Sequence, residues 1–219
     1  MKQLGISRIL GPLLVFFVAT SPLNGQSMLT LRTGVNFASM GGSMWKESTE
    51  RVVGSRKGLN LGASLLLPVS DNTGFQLGVA YSVRGANVQV TGQEIKGGYG
   101  LNYLDVPVLF KVNAPSEGVA SVHFLVGPSI GFNLGCEVEA LYESATMKVD
   151  CDEVAMTSED IQSVEFGAAG GLGMDIKISD TFTMVVDALY NFGISSIDPV
   201  ADVKNRAFTI QVGAGFPLG

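Results

Sequence analysis

From residue 28 onward, apolar side chains recur at every second position, the period of a strand with one apolar face. Leu29, Leu31, Val35 and Phe37 alternate with Thr30, Arg32, Gly34 and Asn36. Leu59, Leu61, Ala63, Leu65 and Leu67 follow, then Phe75, Leu77, Val79, Tyr81 and Val83, then Leu104, Val106, Val108, Phe110 and Val112. The second half repeats the pattern from Val122 to Phe132, Val164 to Ile176, Phe182 to Phe192 and Phe208 to Leu218. This predicts eight strands and no amphipathic helix. The connections sort into two kinds. Those at 70–73, 113–118 and 179–181 are brief and built from turn formers, whereas 40–57, 91–98, 135–160 and 195–205 are longer and polar.

Strict alternation of short and long connections is the habit of a transmembrane β-barrel, with tight periplasmic turns and longer extracellular loops. Each run is about 9–11 residues, enough to cross a bilayer at a tilt. The face opposite the large apolar residues carries small or polar ones and a few charges of mixed sign. A water-facing exterior would carry more charge. The expected fold is therefore all-β: an eight-stranded antiparallel up-and-down transmembrane β-barrel, apolar outside, with a narrow interior of small and polar side chains.

Composition agrees with this reading. The 219 residues are 46% hydrophobic and 16% charged, with 28 Gly, which excludes disorder. A net charge of -6 argues against a nucleic-acid partner. Lys2 and Arg8, an apolar run from Ile9 to Thr20 and a turn-prone stretch to Gly25 read as a signal peptide over 1–25, leaving a barrel domain over 26–219. Export permits a disulfide between Cys136 and Cys151, the only two cysteines.

Four segments resemble the porin-like outer-membrane β-barrel domain family: 33–37 (TGVNF, followed by 58–67), 103–112 (YLDVPVLFKV), 124–131 (FLVGPSIG) and 167–173 (GAAGGLG). Many members end in an aromatic, whereas here Phe216 is followed by Pro217, Leu218 and Gly219. The resemblance implies a bacterial outer-membrane location, insertion by the barrel-assembly machinery, and no enzymatic reaction.

Arg32, Arg84, Asp105, Lys111, Glu165, Asp175 and Asp187 fall on the small-residue face and are expected to form a lumen charge network. Asp105 and Lys111 are too far apart on one strand to pair, so partners must come from other strands, with Arg84 a candidate for Asp105. Buried ions are tolerated only when paired and hydrogen-bonded. His123 is the sole histidine. A hydrolase built from it with Ser121 or Ser129 and Glu165 lacks any positional signature, and no metal or cofactor is expected.

The stretch 135–160 holds Glu137, Glu139, Glu143, Asp150, Asp152, Glu153, Glu159 and Asp160 against Lys148 alone. It reads as a solvated loop stapled by the disulfide; the sharper alternative is divalent-cation binding or bridging through cations to lipopolysaccharide. Lys46, Arg51, Arg56 and Lys57 in the first long connection face either that acidic stretch or lipid phosphates. Trp45, Tyr99, Tyr103, Tyr142 and Tyr190 are candidate interfacial anchors. The expected function is a structural or cell-surface interaction role with outer-membrane lipid and lipopolysaccharide as neighbours and an unknown surface partner. A passive small-solute channel is the alternative, ahead of a lipid-modifying enzyme or a secreted ligand-binding barrel.

Overall fold

The computed structural model describes residues 26–42, 51–90, 96–142, 145–151, 161–198 and 202–218. They form nine strands: β1 (Ser27–Gly42), β2 (Arg51–Ser70), β3 (Thr73–Val90), β4 (Lys96–Asn113), β5 (Ala120–Tyr142), β6 (Ala145–Asp150), β7 (Val164–Ser179), β8 (Phe182–Gly193) and β9 (Val203–Leu218). No helix occurs among the described residues. The segment expected to be a signal peptide lies outside them.

Eight strands close into one antiparallel wall in the order β1–β2–β3–β4–β5–β7–β8–β9, with β9 pairing back onto β1 from Ser27↔Leu218 to Gly42↔Val203. Closure leaves the eight-stranded wall without a free edge, the condition for a sheet to stand in hydrocarbon, where no water is present to hydrogen-bond one. Tight two-residue turns at Asp71–Asn72 and Asp180–Thr181 and the 114–119 turn lie on the rim that carries Ser27 and Leu218. The remaining connections leave from the opposite rim, which is the extracellular one by the loop-length rule.

The strands are longer than the alternation predicts, 12 to 20 residues in most cases and 23 in β5. The excess lies at the extracellular rim, where polar sequence continues to pair although it no longer alternates. The stretch 135–160 is thus only partly loop. β5 pairs with β7 up to Phe132, then takes a new partner from Glu137 onward, the short strand β6. β6 is the ninth strand; its Ala145, Met147 and Val149 alternate with Thr146, Lys148 and Asp150, but over only six residues inside an acidic stretch, too few to stand out as a strand.

The wall is apolar on the outside. Leu31, Leu61, Phe75, Phe110, Phe124, Phe166, Leu172, Phe208 and Ile210 are exposed, while Thr30, Asn36, Ser64, Gln76, Ser82 and Thr209 are buried. Phe75 and Phe110, opposite each other on β3 and β4, pack their rings on the outer surface at 5.5 Å. One feature of the interior differs from the expectation of small and polar residues. Leu109, Leu125, Ala169 and Leu189 form an apolar cluster inside the bore, and Met40, Leu101, Tyr103, Cys136, Cys151, Ile197 and Val203 form another. Eight strands leave a lumen that side chains must fill, and polar groups alone would leave gaps.

Candidate functional site in the barrel interior

Inward positions on opposite strands bring the charges together in two groups. In the lower group Lys111 Nζ donates to Asp175 Oδ2 at 2.5 Å. His123 stands between two carboxylates, with Nδ1 3.3 Å from Asp175 Oδ2 and Nε2 2.8 Å from Asp187 Oδ1. Arg32 Nε donates to Asp187 Oδ2 at 3.1 Å, and Gln211 Nε2 donates to the same oxygen at 2.9 Å. The Arg32 guanidinium also donates to Gln76 Oε1 at 3.0 Å and to Ser64 Oγ. The sources are Arg32 on β1, Ser64 on β2, Gln76 on β3, Lys111 on β4, His123 on β5, Asp175 on β7, Asp187 on β8 and Gln211 on β9. Every strand of the wall contributes one side chain to a single connected network across the bore.

The upper group centres on Arg84, which donates to Asp105 Oδ2 at 2.6 Å and lies 3.5 Å from Glu165 Oε1. Asn205 Nδ2 donates to Glu165 Oε2 at 2.7 Å and to Tyr103 Oη at 3.1 Å, and Arg84 sits 5.1 Å from the centre of the Tyr103 ring. Beside it Asn36 bridges Ser82 and Thr209, at 2.8 Å each.

Glycine makes room for both groups. His123 and Asp187 are each the cross-strand neighbour of Gly173, on its two sides, and a Cβ there would collide with His123 Nε2 and Asp187 Oδ1. Gly131 likewise separates Asp105 from Glu165, and its Cβ would stand 3.0 Å from Asp105 Oδ1. The Gly-rich strands are thus the floor over which charged side chains reach one another.

The apolar cluster begins one inward position above the lower network, since Leu109, Leu125 and Leu189 lie two residues from Lys111, His123 and Asp187. A cavity of about 60 Å³ remains, lined by Arg32, Asn60, Gln76, Asp105, Leu109 and Gln211 among others. That volume suits a few water molecules and no larger solute.

The seven charged residues expected in the lumen all point inward and all engage in ion pairs, divided between the two groups. His123 joins the lower group, a role that its isolation in the sequence did not reveal. The hydrolase arrangement is not assembled: Ser121 donates to the Ala114 carbonyl and Glu165 belongs to Arg84 and Asn205. Among the described residues no three His, Cys, Asp or Glu side chains are placed to hold a metal ion. Glu143, Asp152, Glu153, Glu159 and Asp160 lie outside those residues.

At the extracellular end Cys136 and Cys151 are bonded across the base of the β5–β6 hairpin, with Cα atoms 5.4 Å apart. Arg56, inside the barrel mouth, donates to both Glu139 oxygens at 2.7 and 2.8 Å, and Lys148 adds a contact at 2.7 Å. The Arg56 hydrogen bonds hold the Glu139 carboxyl down at about 2; burial opposes them, and the Lys148 hydrogen bond adds a smaller lowering effect. Arg56 therefore meets the acidic stretch, whereas its neighbour Lys57 faces outward over the Phe37 ring. Of the candidate anchors, Tyr190 is exposed on the wall, but Tyr103 is fully buried and Tyr99 packs against the inner cluster. Their strand phase places them inside. Trp45 and the Tyr142 side chain lie outside the description.

Residues 22–198 match the outer membrane protein beta-barrel domain, and the chain belongs to that family. It is a small integral barrel of the bacterial outer membrane. Solved structures similar to it include OprG from Pseudomonas aeruginosa, at 14% identity and a TM-score of 0.48 over 89% of this chain and 97% of that one. Neisserial surface protein A matches at 9% identity and 0.46, over 87% and 97%. Ail, the attachment invasion locus protein of Yersinia pestis, matches at 16% and 0.42, over 88% and 100%. No curated protein matches the chain.

Proposed function

We propose that this protein is a sealed barrel with a structural or cell-surface interaction role and that it conducts no solutes. The observation that carries this reading is the lower network, to which all eight wall strands contribute and in which Lys111 and His123 are fully buried. A solute path would have to break several charge-assisted hydrogen bonds at once and leave buried ions unpaired, which costs about 3–5 kcal/mol for each broken pair. It would then meet Leu109, Leu125 and Leu189, which fill one side of the bore and leave beside them a cavity of only about 60 Å³. What the barrel offers to its surroundings is the extracellular rim, where the disulfide and the Arg56–Glu139 pair fix the β5–β6 hairpin.

Planar-bilayer recording of the purified, refolded protein tests this directly. The expected record is the bare-bilayer baseline at ordinary voltages. Steady openings that scale with the amount of inserted protein would show a conducting bore and overturn the proposal.

A further inference from the structure

Most cations of the described residues are used internally or in the hairpin. Arg32, Arg84 and Lys111 are in the lumen networks, Arg56 and Lys148 hold Glu139, and Lys177 pairs with Asp180 at the short-turn rim. Of the cations whose side chains the structure describes, three remain, Lys57, Lys204 and Arg206, and the register puts them in one sector of the wall. Lys57 on β2 is opposite Phe37, while on β9 Arg206 is opposite Ser39 and Lys204 opposite Gly41. All three are toward the extracellular rim, and both Lys57 and Arg206 are solvent-exposed.

An aromatic row on adjacent strands, Phe37 beside Phe208 and Phe208 beside Tyr190, lies in register with Lys57 and two residues below Arg206, which itself has Phe192 opposite. Such a row marks the level where a barrel leaves hydrocarbon for the headgroups. Lys57 Nζ lies 6.0 Å from the centre of the Phe37 ring, and Arg206 Cζ lies 5.5 Å from that of Phe192. Neither forms an ion pair with a carboxylate among the described residues; Lys204 has Asp202 at 3.6 Å. An unpaired cation at this depth is stabilised by reaching the interface and meeting an anion there. β2 and β9 flank β1 and the two positions are offset by two residues along the strands, so the two unpaired cations stand roughly 12 Å apart on the wall. That separation places a single lipid headgroup between them. The anions at this level of the outer leaflet are the phosphates of its glycolipid.

We propose that Lys57 and Arg206, assisted by Lys204, form a docking site for the phosphorylated glucosamine headgroup of lipopolysaccharide on the outer wall of the barrel. The aromatic row supports the acyl chains below while the cations take the phosphates above. The site depends on the outer-membrane orientation of the barrel and is independent of whether the lumen is sealed.

Native mass spectrometry of the refolded full chain, titrated with bisphosphorylated lipid A, measures the interaction. Wild type is expected to retain the lipid, and Lys57→Gln with Arg206→Gln to bind about 25-fold more weakly, taking about fivefold for each cation near an anionic interface. Lys148→Gln, which removes a cation from the hairpin, is expected to bind as wild type. Lipid A stripped of its phosphates is expected to bind weakly and equally to wild type and the double variant, and phosphatidylglycerol, whose single phosphodiester meets one cation at a time, to lose no more than about fivefold in the double variant. Folding is checked by the gel mobility of unheated samples, and the single variants, each about fivefold weaker, serve if the double variant does not fold. Undiminished binding by the folded variants would overturn the proposal. So would equal retention of dephosphorylated lipid, or a phosphatidylglycerol affinity that matches that of bisphosphorylated lipid A and falls as far in the double variant.

Discussion

Asp187 shows how much one side chain can hold in a narrow bore. Its two oxygens receive His123, Arg32 and Gln211 from three other strands. Asp187→Ala would leave a buried guanidinium without its carboxylate, and is expected to cost about 3–5 kcal/mol. Denaturant unfolding in lipid vesicles, followed by the difference in gel mobility between folded and unfolded protein, measures the loss. A change under about 1 kcal/mol, the range of an exposed ion pair, would mean that the network carries little stability. Gly173→Ala is expected to weaken the same contact without removing any polar group, because its methyl would intrude between His123 and Asp187. The seven lumen charges were legible in the sequence because strand phase alone decides which face they occupy. Their partners were not, because pairing depends on register and on chords across the bore. Lys111 meets Asp175, 64 residues away, and His123 meets Asp187 at the same separation.

At the scale of elements, the β5–β6 hairpin is the least predictable part of the fold. Its strands run through the acidic segment, where Glu137 is opposite Asp150 and Glu139 opposite Lys148, and the alternation of Ala145, Met147 and Val149 in β6 spans only six residues among these charges. The two cysteines were legible as a pair, but the pairing of the strands between them was not. In the chain-entropy account a disulfide closing a loop of this length contributes about 3 kcal/mol. Cys136→Ser with Cys151→Ser is expected to leave the barrel folded and to expose the hairpin to protease added from outside. Cleavage of wild type and variant at equal rates would argue that the bond adds nothing.

The Arg56–Glu139 contact should also respond to acid. The carboxyl sits near 2 in the folded protein and at the ordinary carboxylate value of about 4.3 when unfolded. Its contribution is therefore complete above that ordinary value and is lost as pH falls toward 2. Hydrogen exchange of the hairpin amides is expected to show protection that persists at pH 5 and decays progressively below pH 4. Loss of protection already at pH 6 would assign the effect to another group.

For the molecule as a whole, the sequence displays the outer surface more plainly than the inner one. The apolar positions in phase, from Leu29 to Leu218, have only to face lipid, and a period of two is all that requires. The interior must be filled as well as neutralised, and Leu101, Leu109, Leu125, Val185 and Leu189 are recruited to fill it. Local alternation cannot distinguish such residues from lipid-facing ones where two apolar residues are consecutive, as at Phe124–Leu125 and Val185–Val186. Filling and neutralising together produce a closed wall with a closed bore.

Adjacent positions on β5 test both properties with one reagent. Phe124 is 44% exposed on the outer wall and Leu125 is fully buried in the bore, and the native cysteines are bonded to each other. Cysteines introduced singly as Phe124→Cys, Leu125→Cys and, in the exposed turn, Ser116→Cys are to be treated in lipid vesicles with a small, charged, water-soluble thiosulfonate. Ser116→Cys is expected to react within seconds, while Phe124→Cys, shielded by hydrocarbon, and Leu125→Cys, shielded by the packed bore, stay unmodified until the protein is unfolded. Reaction of Leu125→Cys at the rate of the turn position would contradict a sealed lumen, and the same result at Phe124→Cys would contradict the lipid-facing wall.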